Sequence, residues 1–326
     1  MQNIGILDNQ YNILSFKERG FNRMYYTARN NQNQNFNLIG IETGENNNNN
    51  IPANEINVLN ILNNVNNPNI LRYIRNGNGP LVLNDEPPRN VSYIVFENAP
   101  KFSLFEYIIY GNIRLSEKKA KLIFKKILNG IGAIHNANIC HRDIKPENIL
   151  FDEKYNPKIC FFEMSRLNAN NINEFIGSKS YCAPEILNHV PYNGIVSDIF
   201  SLGQTLFMLK EGTVGFASAE HNDPHYTLIA NNNIAQYWNL PKFQGLNLSQ
   251  GFRDLFTRMV SNIPNQRPTI DQILNDPWMQ EINNLNEQEL AALEEEIINE
   301  FHNREAEILN KKMLEVKNNE ELNNSR

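Results

Sequence analysis

The polar side chains best suited to chemistry are concentrated in one short stretch of the chain. Within eight residues the sequence places a histidine, two cationic side chains, a carboxylate and an amide: His141, Arg142, Asp143, Lys145 and Asn148. Eighteen residues after Asp143 the sequence reads Phe161-Phe162-Glu163. A phenyl ring offers no lone pair to a hard cation such as Mg²⁺, which takes oxygen ligands. Position 161 therefore cannot contribute to a metal site.

This stretch opens a series of five motifs that resemble those of protein kinases, in the same order and at similar spacing. They lie at residues 141–150, 177–185, 198–203, 267–269 and 276–278. Within the first, Lys145-Pro146-Glu147-Asn148 resembles the Ser/Thr-kinase version rather than the tyrosine-kinase version. The chain therefore resembles a degenerate, Ser/Thr-kinase-like member of the eukaryotic protein kinase superfamily over about residues 11–280.

The resemblance implies an α+β, bilobal protein-kinase-like fold, with a small strand-rich N-lobe and a larger helical C-lobe. We expect the N-lobe at about 11–97 and the C-lobe at about 98–280, preceded by an N-terminal segment of residues 1–10. Residues 281–326 form an acidic, Asn-rich extension that contains neither Gly nor Pro from 287 onward. Its apolar positions recur at helical spacing and predict one or two amphipathic helices. These helices could pack on the C-lobe, self-associate or bind a partner.

Local patterns predict the elements that hold these motifs. They are strands within 11–42 with a turn at 30–35, a helix over 53–66, strands over 70–74 and 91–96, and a polar insert at about 76–90. Residues 97–99 resemble the kinase hinge. Ser116 is expected to cap a long helix whose apolar face includes Ile123, Ile127 and Ile131.

By resemblance, the catalytic loop is intact. Asp143 would orient the substrate hydroxyl and accept its proton, Lys145 would steady the transferring phosphoryl group, and Asn148 would hold a metal ion. The adenine pocket, if a nucleotide binds, would be lined by Met24, Gly40 and Leu150.

Three other parts of the kinase site depart from the family pattern. The glycine positions of the phosphate-covering loop hold Lys17, Arg19 and Asn22, whose Cβ atoms obstruct close backbone approach to phosphate. The strand-lysine position aligns with Glu42, and no lysine occurs from residue 18 to 100. The metal-binding aspartate is replaced by Phe161. Together these losses predict that phosphoryl transfer is inefficient.

The glutamate that normally pairs with the strand lysine is also in doubt. Counting back from Pro68 without a gap puts Val58 at its position, while Glu55 lies one helical turn earlier.

Two replacements for the lost groups remain open. The missing cation could come from Lys17, Arg19 or Arg23. Glu163 could serve the metal if its loop rearranged.

Several matched residues predict structural roles. Arg267 and Glu185 are expected to form an ion pair, and Asp198 to tie down the catalytic-loop backbone. An apolar column that links the lobes would consist of His141, Phe162, Leu62 and Tyr73.

Glu174 lies nine residues before Ala183, at a position where many kinases are phosphorylated. Arg142 usually binds that phosphate, so we expect Glu174 to pair with Arg142 and to hold the loop without modification. The alternative is a solvated side chain. A carboxylate carries less charge than a phosphate, which has about −1.5 to −2 at neutral pH. Modification of Ser178, Ser180 or Tyr181 is not decided by the sequence.

Charge and cysteine content indicate which partners and which cellular setting to expect. The net charge of −6 and the lack of a basic tract argue against nucleic acid. Three cysteines fit neither a disulfide framework nor a zinc site, which predicts a reduced, cytoplasmic setting. We expect no signal peptide and no membrane span.

The leading interpretation is a pseudokinase that acts as a scaffold or allosteric regulator of another protein, such as an active kinase, with no cofactor. One alternative is a divergent, active Ser/Thr protein kinase that uses ATP and Mg²⁺. Another is a module that binds a nucleotide without metal and does not turn it over.

Overall fold

A closed, six-stranded antiparallel sheet forms the N-terminal part of the molecule. The computed structural model describes residues 4–19, 23–33, 35–42, 51–84 and 86–324. The strands are β1 Gly5–Leu7, β2 Tyr11–Arg19, β3 Arg23–Asn30, β4 Asn35–Glu42, β5 Tyr73–Leu83 and β6 Arg89–Phe96. They are hydrogen-bonded in the order β1-β2-β3-β4-β6-β5, and β5 also pairs with β1. Helix α1, Ala53–Val65, follows β4 and buries Val58, Leu59 and Leu62.

Two segments of this sheet differ from the expectation. Residues 5–7, which we placed before the domain, form β1. The predicted polar insert at 76–90 is wrong, because β5 runs to Leu83 and pairs with β1 on one side and β6 on the other. Close packing explains its glycines. A Cβ at Gly77 would lie 2.6 Å from the Tyr93 hydroxyl, and one at Gly79 would lie 2.4 Å from the Asp8 carboxylate.

Helices and four short strands build the rest of the molecule. In chain order they are α2 Leu104–Ile109, α3 Glu117–Asn136, β7 Ile139–Cys140, β8 Ile149–Phe151, β9 Pro157–Ile159, β10 Arg166–Leu167, α4 Pro184–Leu187, α5 Gly194–Glu211, α6 Tyr226–Ala230, α7 Ile234–Trp238, α8 Gln250–Met259, α9 Ile270–Leu274, α10 Gln280–Asn283, α11 Glu287–His302 and α12 Glu305–Asn324. The expected α+β, bilobal fold is confirmed.

Two long helices form the centre of the C-lobe. Ser116 caps α3, because its hydroxyl accepts the backbone N–H of Lys119 at 3.4 Å, as the sequence predicted. The predicted apolar face of α3 is buried in the core. Helix α5 is buried over almost its whole length and ends at Gly212, which has a φ of +73°. Glycine takes up this left-handed conformation with little strain.

The C-terminal extension forms two helices, α11 and α12, as predicted. Both pack on the C-lobe through four buried side chains: Leu293, Ile297, Phe301 and Ile308. Met313, farther along the extension, is 60% exposed. Over the described residues, every helix is too short or too polar to cross a membrane.

Candidate active site

Asp198 on α5 holds the backbone of the loop that carries Asp143. Its carboxylate accepts the backbone N–H of His141 at 2.8 Å and that of Arg142 at 2.9 Å. His135 Nε2 lies 3.0 Å from the same carboxylate. Arg142 has a φ of +67°, a left-handed conformation that costs a non-glycine residue about 1–2 kcal/mol. Charge-assisted hydrogen bonds to the buried Asp198 offset this strain.

Asp143 lies among partners that occupy both of its carboxylate oxygens. Lys145 Nζ is 3.0 Å from Oδ2, and Asn148 Nδ2 donates to the same oxygen at 2.8 Å. The hydroxyl of Ser178 donates to Oδ1 at 2.9 Å. Burial alone would raise the pKa of Asp143, but Lys145 and these hydrogen bonds outweigh burial and hold the pKa below its ordinary value. The structure thus brings Asp143, Lys145 and Asn148 together around an ionised carboxylate.

Phe161 packs under the sheet instead of offering a metal ligand. Its ring centroid lies 4.5 Å from that of Tyr25 on β3, and the residue is 9% exposed. Its φ of +64° is left-handed, which is unusual for a bulky side chain. The neighbouring Phe162 is fully buried, with its ring 5.2 Å from that of His141. Aromatic contacts on both residues therefore hold this turn in place.

Glu163 is engaged by the sheet. Its Oε1 accepts the hydroxyl of Tyr25 at 2.5 Å. Burial, followed by the nearby Glu163 charge, raises the pKa of Tyr25 well above its ordinary value, so Tyr25 stays a hydrogen-bond donor. The rearrangement that would bring Glu163 to a metal would break this bond.

The donor set around position 161 does not match the preference of magnesium. The Phe161 side chain has no oxygen, and Glu163 accepts the Tyr25 hydroxyl. The amide oxygen of Asn148 remains as a ligand, while its nitrogen donates to Asp143. Magnesium requires near-octahedral oxygen coordination. Across the described ranges, His, Cys, Asp and Glu side chains form no group of three or more that could hold a metal ion.

Arg23 on β3 and Glu55 on α1 form a buried, bidentate ion pair. The two guanidinium nitrogens donate to the two carboxylate oxygens at 2.5 and 2.6 Å, and both side chains are 2% exposed. Arg23 was one of three candidates for the missing cation. Glu55 is the carboxylate of α1 that pairs with a cation of the sheet, a position that ungapped counting had assigned to Val58. Val58 is instead an apolar neighbour on the same helix face.

Gly40 on β4 explains how this pair fits. A Cβ at Gly40 would lie 2.7 Å from the Tyr25 ring and 3.1 Å from Arg23 Cδ. Glycine therefore leaves room for two large side chains below the sheet. The sequence held a signal that we missed, since Glu55 lies three, four and seven residues before the buried Val58, Leu59 and Leu62 and so shares their face.

The predicted adenine-pocket residues lie in different surroundings. Met24 packs with the apolar cluster of the sheet, and Leu150 is fully buried in the cluster that fills the C-lobe. Gly40 contacts Tyr25. Lys17, at the first glycine position, donates to the carbonyl of Ala99 in the hinge at 3.4 Å and to that of Lys101 at 3.2 Å. The adenine-binding role of these residues stays a prediction. Asn22 and the Glu42 side chain lie outside the described residues.

Two arginines hold Glu174. Arg142 Nη1 donates to Glu174 Oε2 at 2.6 Å, and Arg166 Nη1 donates to Oε1 at 2.7 Å. Arg142 also donates through Nε to the Met164 carbonyl at 2.6 Å. The structure thus brings the predicted pair together and adds Arg166, which the sequence analysis did not single out. The hydrogen bond from Arg142 is the main reason that the pKa of Glu174 is lowered.

Replacing Glu174 with alanine is expected to speed proteolytic cleavage of residues 166–182 several-fold, because two cations lose their shared anion. Glu174→Gln keeps the shape and tests the charge alone. In the wild type, protection should be full above the ordinary glutamate pKa of about 4.3 and should fall as the pH drops through the lowered folded-state value. Limited proteolysis over this pH range measures both effects. Equal cleavage of all three proteins would refute a role for Glu174.

The remaining structural residues lie where the motifs placed them. Arg267 makes a bidentate pair with Glu185, at 2.6 and 2.7 Å, and its side chain is fully buried. The rings of His141 and Phe162 are in contact, and Leu62 and Tyr73 are buried in the same core.

The hydroxyls of two candidate modification sites are already engaged. Ser178 bonds to Asp143 and Lys145. The hydroxyl of Tyr181 is buried against Met208, and burial raises its pKa. At Ser180 the backbone carbonyl accepts the Gln204 amide, and the residue is partly exposed.

Comparisons with known proteins agree with this architecture. The family model of the protein kinase domain matches residues 21–279. Serine/threonine-protein kinase SAPK1 of Oryza sativa subsp. japonica is 33% identical over 190 residues, which cover 57% of this chain and 54% of that protein. CBL-interacting serine/threonine-protein kinase 8 of Arabidopsis thaliana is 35% identical over 193 residues, covering 58% and 41%. Maternal embryonic leucine zipper kinase of Xenopus laevis is 31% identical over 198 residues, covering 60% and 29%.

The matched region thus spans between 29% and 54% of the length of these three relatives. The family model covers most of the chain, including the catalytic loop, α5 and the activation segment, which is the loop that contains Glu174 and ends at residue 185. The chain therefore belongs to the protein kinase family and is similar to its Ser/Thr kinases.

Proposed function

We propose that this chain is a pseudokinase, which acts by binding another protein as a scaffold or allosteric regulator. The observation that carries the proposal is the set of contacts that replaces the nucleotide-binding parts. Arg23 is bound to Glu55, and Tyr25 contacts both Phe161 and Glu163. Arg23, a candidate to meet a phosphate, and Glu163, a candidate to meet a metal, are thus both bonded to side chains of the protein itself.

These contacts also support an active-like conformation that needs no nucleotide. The Arg23–Glu55 pair ties α1 to the sheet, and Glu174 ties the activation segment to Arg142. Asn54 at the start of α1 donates to the Ser165 carbonyl at 2.9 Å. A partner that recognises the ordered kinase shape, such as an active kinase, would find it preformed. Preformed surfaces bind with a smaller ordering cost.

A phosphotransfer assay tests the proposal. With ATP and either Mg²⁺ or Mn²⁺, on the chain itself and on a generic Ser/Thr protein substrate, the wild type is expected to incorporate no more phosphate than Asp143→Ala. Asp143 is the base of the retained loop, so this variant sets the background. Incorporation that the wild type supports and Asp143→Ala loses would overturn the proposal.

A second candidate is a divergent, active Ser/Thr protein kinase. The ionised Asp143 with Lys145 and Asn148 favours it, as do the names of the similar proteins. If Arg23 supplied the missing cation in place of Lys17 or Arg19, it would have to leave Glu55 to meet a phosphate. A third candidate binds a nucleotide without metal. Nucleotide binding that is unaffected by chelation of divalent cations would distinguish it from both others.

A reduced, cytoplasmic setting belongs to the same proposal. The thiols of Cys140 and Cys182 are buried, and burial raises the pKa of each to about 12. Such thiols are poor nucleophiles at neutral pH, so this pair is suited to packing and not to redox chemistry.

A further inference from the structure

Helix α11 is firmly docked on the C-lobe. Phe301 is fully buried, and its ring stacks on that of Tyr107 at 4.4 Å and meets Phe151 at 5.2 Å. Ion pairs flank this contact: Lys119 with Glu300 at 2.8 Å and Lys126 with Glu294 at 2.7 Å. An aromatic centre with charged flanks resembles a stable interface.

Helix α12 uses much less apolar surface. Its Ile308 is fully buried near Gly111, where a Cβ would lie 3.3 Å from Ile308 Cδ1. The other contacts to α2 are polar: Lys312 pairs with Glu106, Lys311 donates to the Tyr110 carbonyl, and the Tyr110 hydroxyl donates to Glu315. On the opposite side, Leu309, Met313 and Leu314 are 47–60% exposed.

The break between α11 and α12 spans only residues 303 and 304. Asn303 still has helical angles, with φ −64° and ψ −16°, and its N–H donates to the Asn299 carbonyl. The sequence has neither Gly nor Pro from 287 to the end, which are the usual causes of a helix break. Instead, Glu305 is held at the bend by Tyr155, Tyr107 and Lys101, at 2.6, 3.2 and 3.1 Å.

We propose that α12 exchanges between two copies of this chain, which form a symmetric dimer when the bend at 303–304 straightens. Each α12 then docks on the α2 region of the other copy through the contacts that Ile308, Lys311, Lys312 and Glu315 make here within one chain, while Glu305 leaves its partners at the bend. Exchange of an identical element is a low-cost route to a dimer. The straightened segments meet at the two-fold axis, where Leu309, Met313 and Leu314 become covered.

A second copy of the chain can bind α12 because every copy carries the α2 surface that α12 contacts. The α2 surface offers Glu106, Tyr110 and Gly111 in the positions that α12 requires. The inference goes beyond the proposed function, since the dimer does not depend on whether the cleft binds nucleotide.

Charge complementation tests the exchange. Glu106→Lys alone, and Lys312→Glu alone, each set two like charges at this contact. In a mixture of the two variants, only an exchanged heterodimer restores opposite charges at both contacts. Native mass spectrometry of the mixture should show about tenfold or more heterodimer over either homodimer. The double variant, with both changes in one chain, should behave like the wild type.

Three results would overturn the proposal: monomers only in the mixture, a statistical distribution of dimers, or dimers unaffected by either charge reversal. The Glu106 carboxylate also accepts the backbone N–H of Ser103 in the capping box of α2, so the melting temperature of each variant is measured first. Should Glu106→Lys not fold, the wild type itself gives the answer. In mixed ¹⁴N and ¹⁵N chains, carbodiimide cross-links between Glu106 and Lys312 should join heavy to light peptides in the dimer fraction, and same-isotope links alone would contradict exchange.

Two substitutions at Glu305 isolate the straightening step. Both Glu305→Ala and Glu305→Pro remove the carboxylate that holds the bend. Proline is tolerated at the first position of a helix but breaks a helix interior. We therefore expect Glu305→Ala to increase the dimer fraction and Glu305→Pro to abolish the dimer. Equal dimer fractions in the two variants would contradict a straightened bend.

Discussion

Replacing Arg23 with alanine is expected to lower the free energy of unfolding by about 3–5 kcal/mol, because it leaves a buried carboxylate without its cation. Both Arg23 and Glu55 are 2% exposed, and two hydrogen bonds join them. Chemical denaturation measures the change. Arg23→Lys should lose a smaller part, since one ammonium cannot reproduce the bidentate geometry.

A double variant distinguishes the loss of the ion pair from the loss of packing at this site. Arg23→Met with Glu55→Leu removes both charges and keeps most of the volume, so its stability should lie close to or above that of the wild type. A double variant as unstable as Arg23→Ala would show that the site needs these residues for another reason. A loss below about 1 kcal/mol in Arg23→Ala would mean that water reaches Glu55.

Replacing Phe301 with alanine is expected to lower the free energy of unfolding by about 3–5 kcal/mol and to expose the C-terminal extension. Phe301 is fully buried among Tyr107, Phe151 and Tyr155. Denaturation and limited proteolysis of residues 281–324 measure the two effects.

The exposed Leu314 provides the matched control. Leu314→Ala on α12, where the side chain is 58% exposed in the single chain, should change the stability of the monomer, measured at low protein concentration, by less than about 0.5 kcal/mol. Equal effects of Phe301→Ala and Leu314→Ala would contradict the packing described for α11.

The features that the sequence predicted are those written in contiguous residues. The catalytic loop, the cap at Ser116 and the two C-terminal helices depend on local spacing, and the structure has each of them. The Glu185–Arg267 pair was also expected, because both residues belong to motifs whose order is recognisable.

The Arg23–Glu55 and Tyr25–Glu163 contacts could not be predicted from local spacing in the sequence. They join residues 32 and 138 positions apart, so they depend on the register of β3 and on the room left by Gly40. The part of β5 beyond residue 74 was missed because its polar residues and glycines resemble a loop until its two neighbours are known. Tertiary pairing overrides such local preference.

Phe161 is linked in space to residues that the kinase pattern did not single out. Glycine at 40 leaves room for Tyr25 and Arg23, Arg23 pairs with Glu55, and Tyr25 contacts Phe161 and Glu163. The replacement at position 161 thus belongs to one connected set of contacts. Restoring a single residue, as in Phe161→Asp, would leave the rest of that set in place.

The most direct test of this account is the melting temperature of the wild-type chain with millimolar ATP, with and without Mg²⁺ or Mn²⁺. A ligand that binds only the folded state must raise the melting temperature by linkage. We expect no shift under any of these conditions, because Arg23 is bonded to Glu55, Glu163 is bonded to Tyr25, and Phe161 offers no side-chain oxygen to a metal. A shift that appears only with the metal would contradict it.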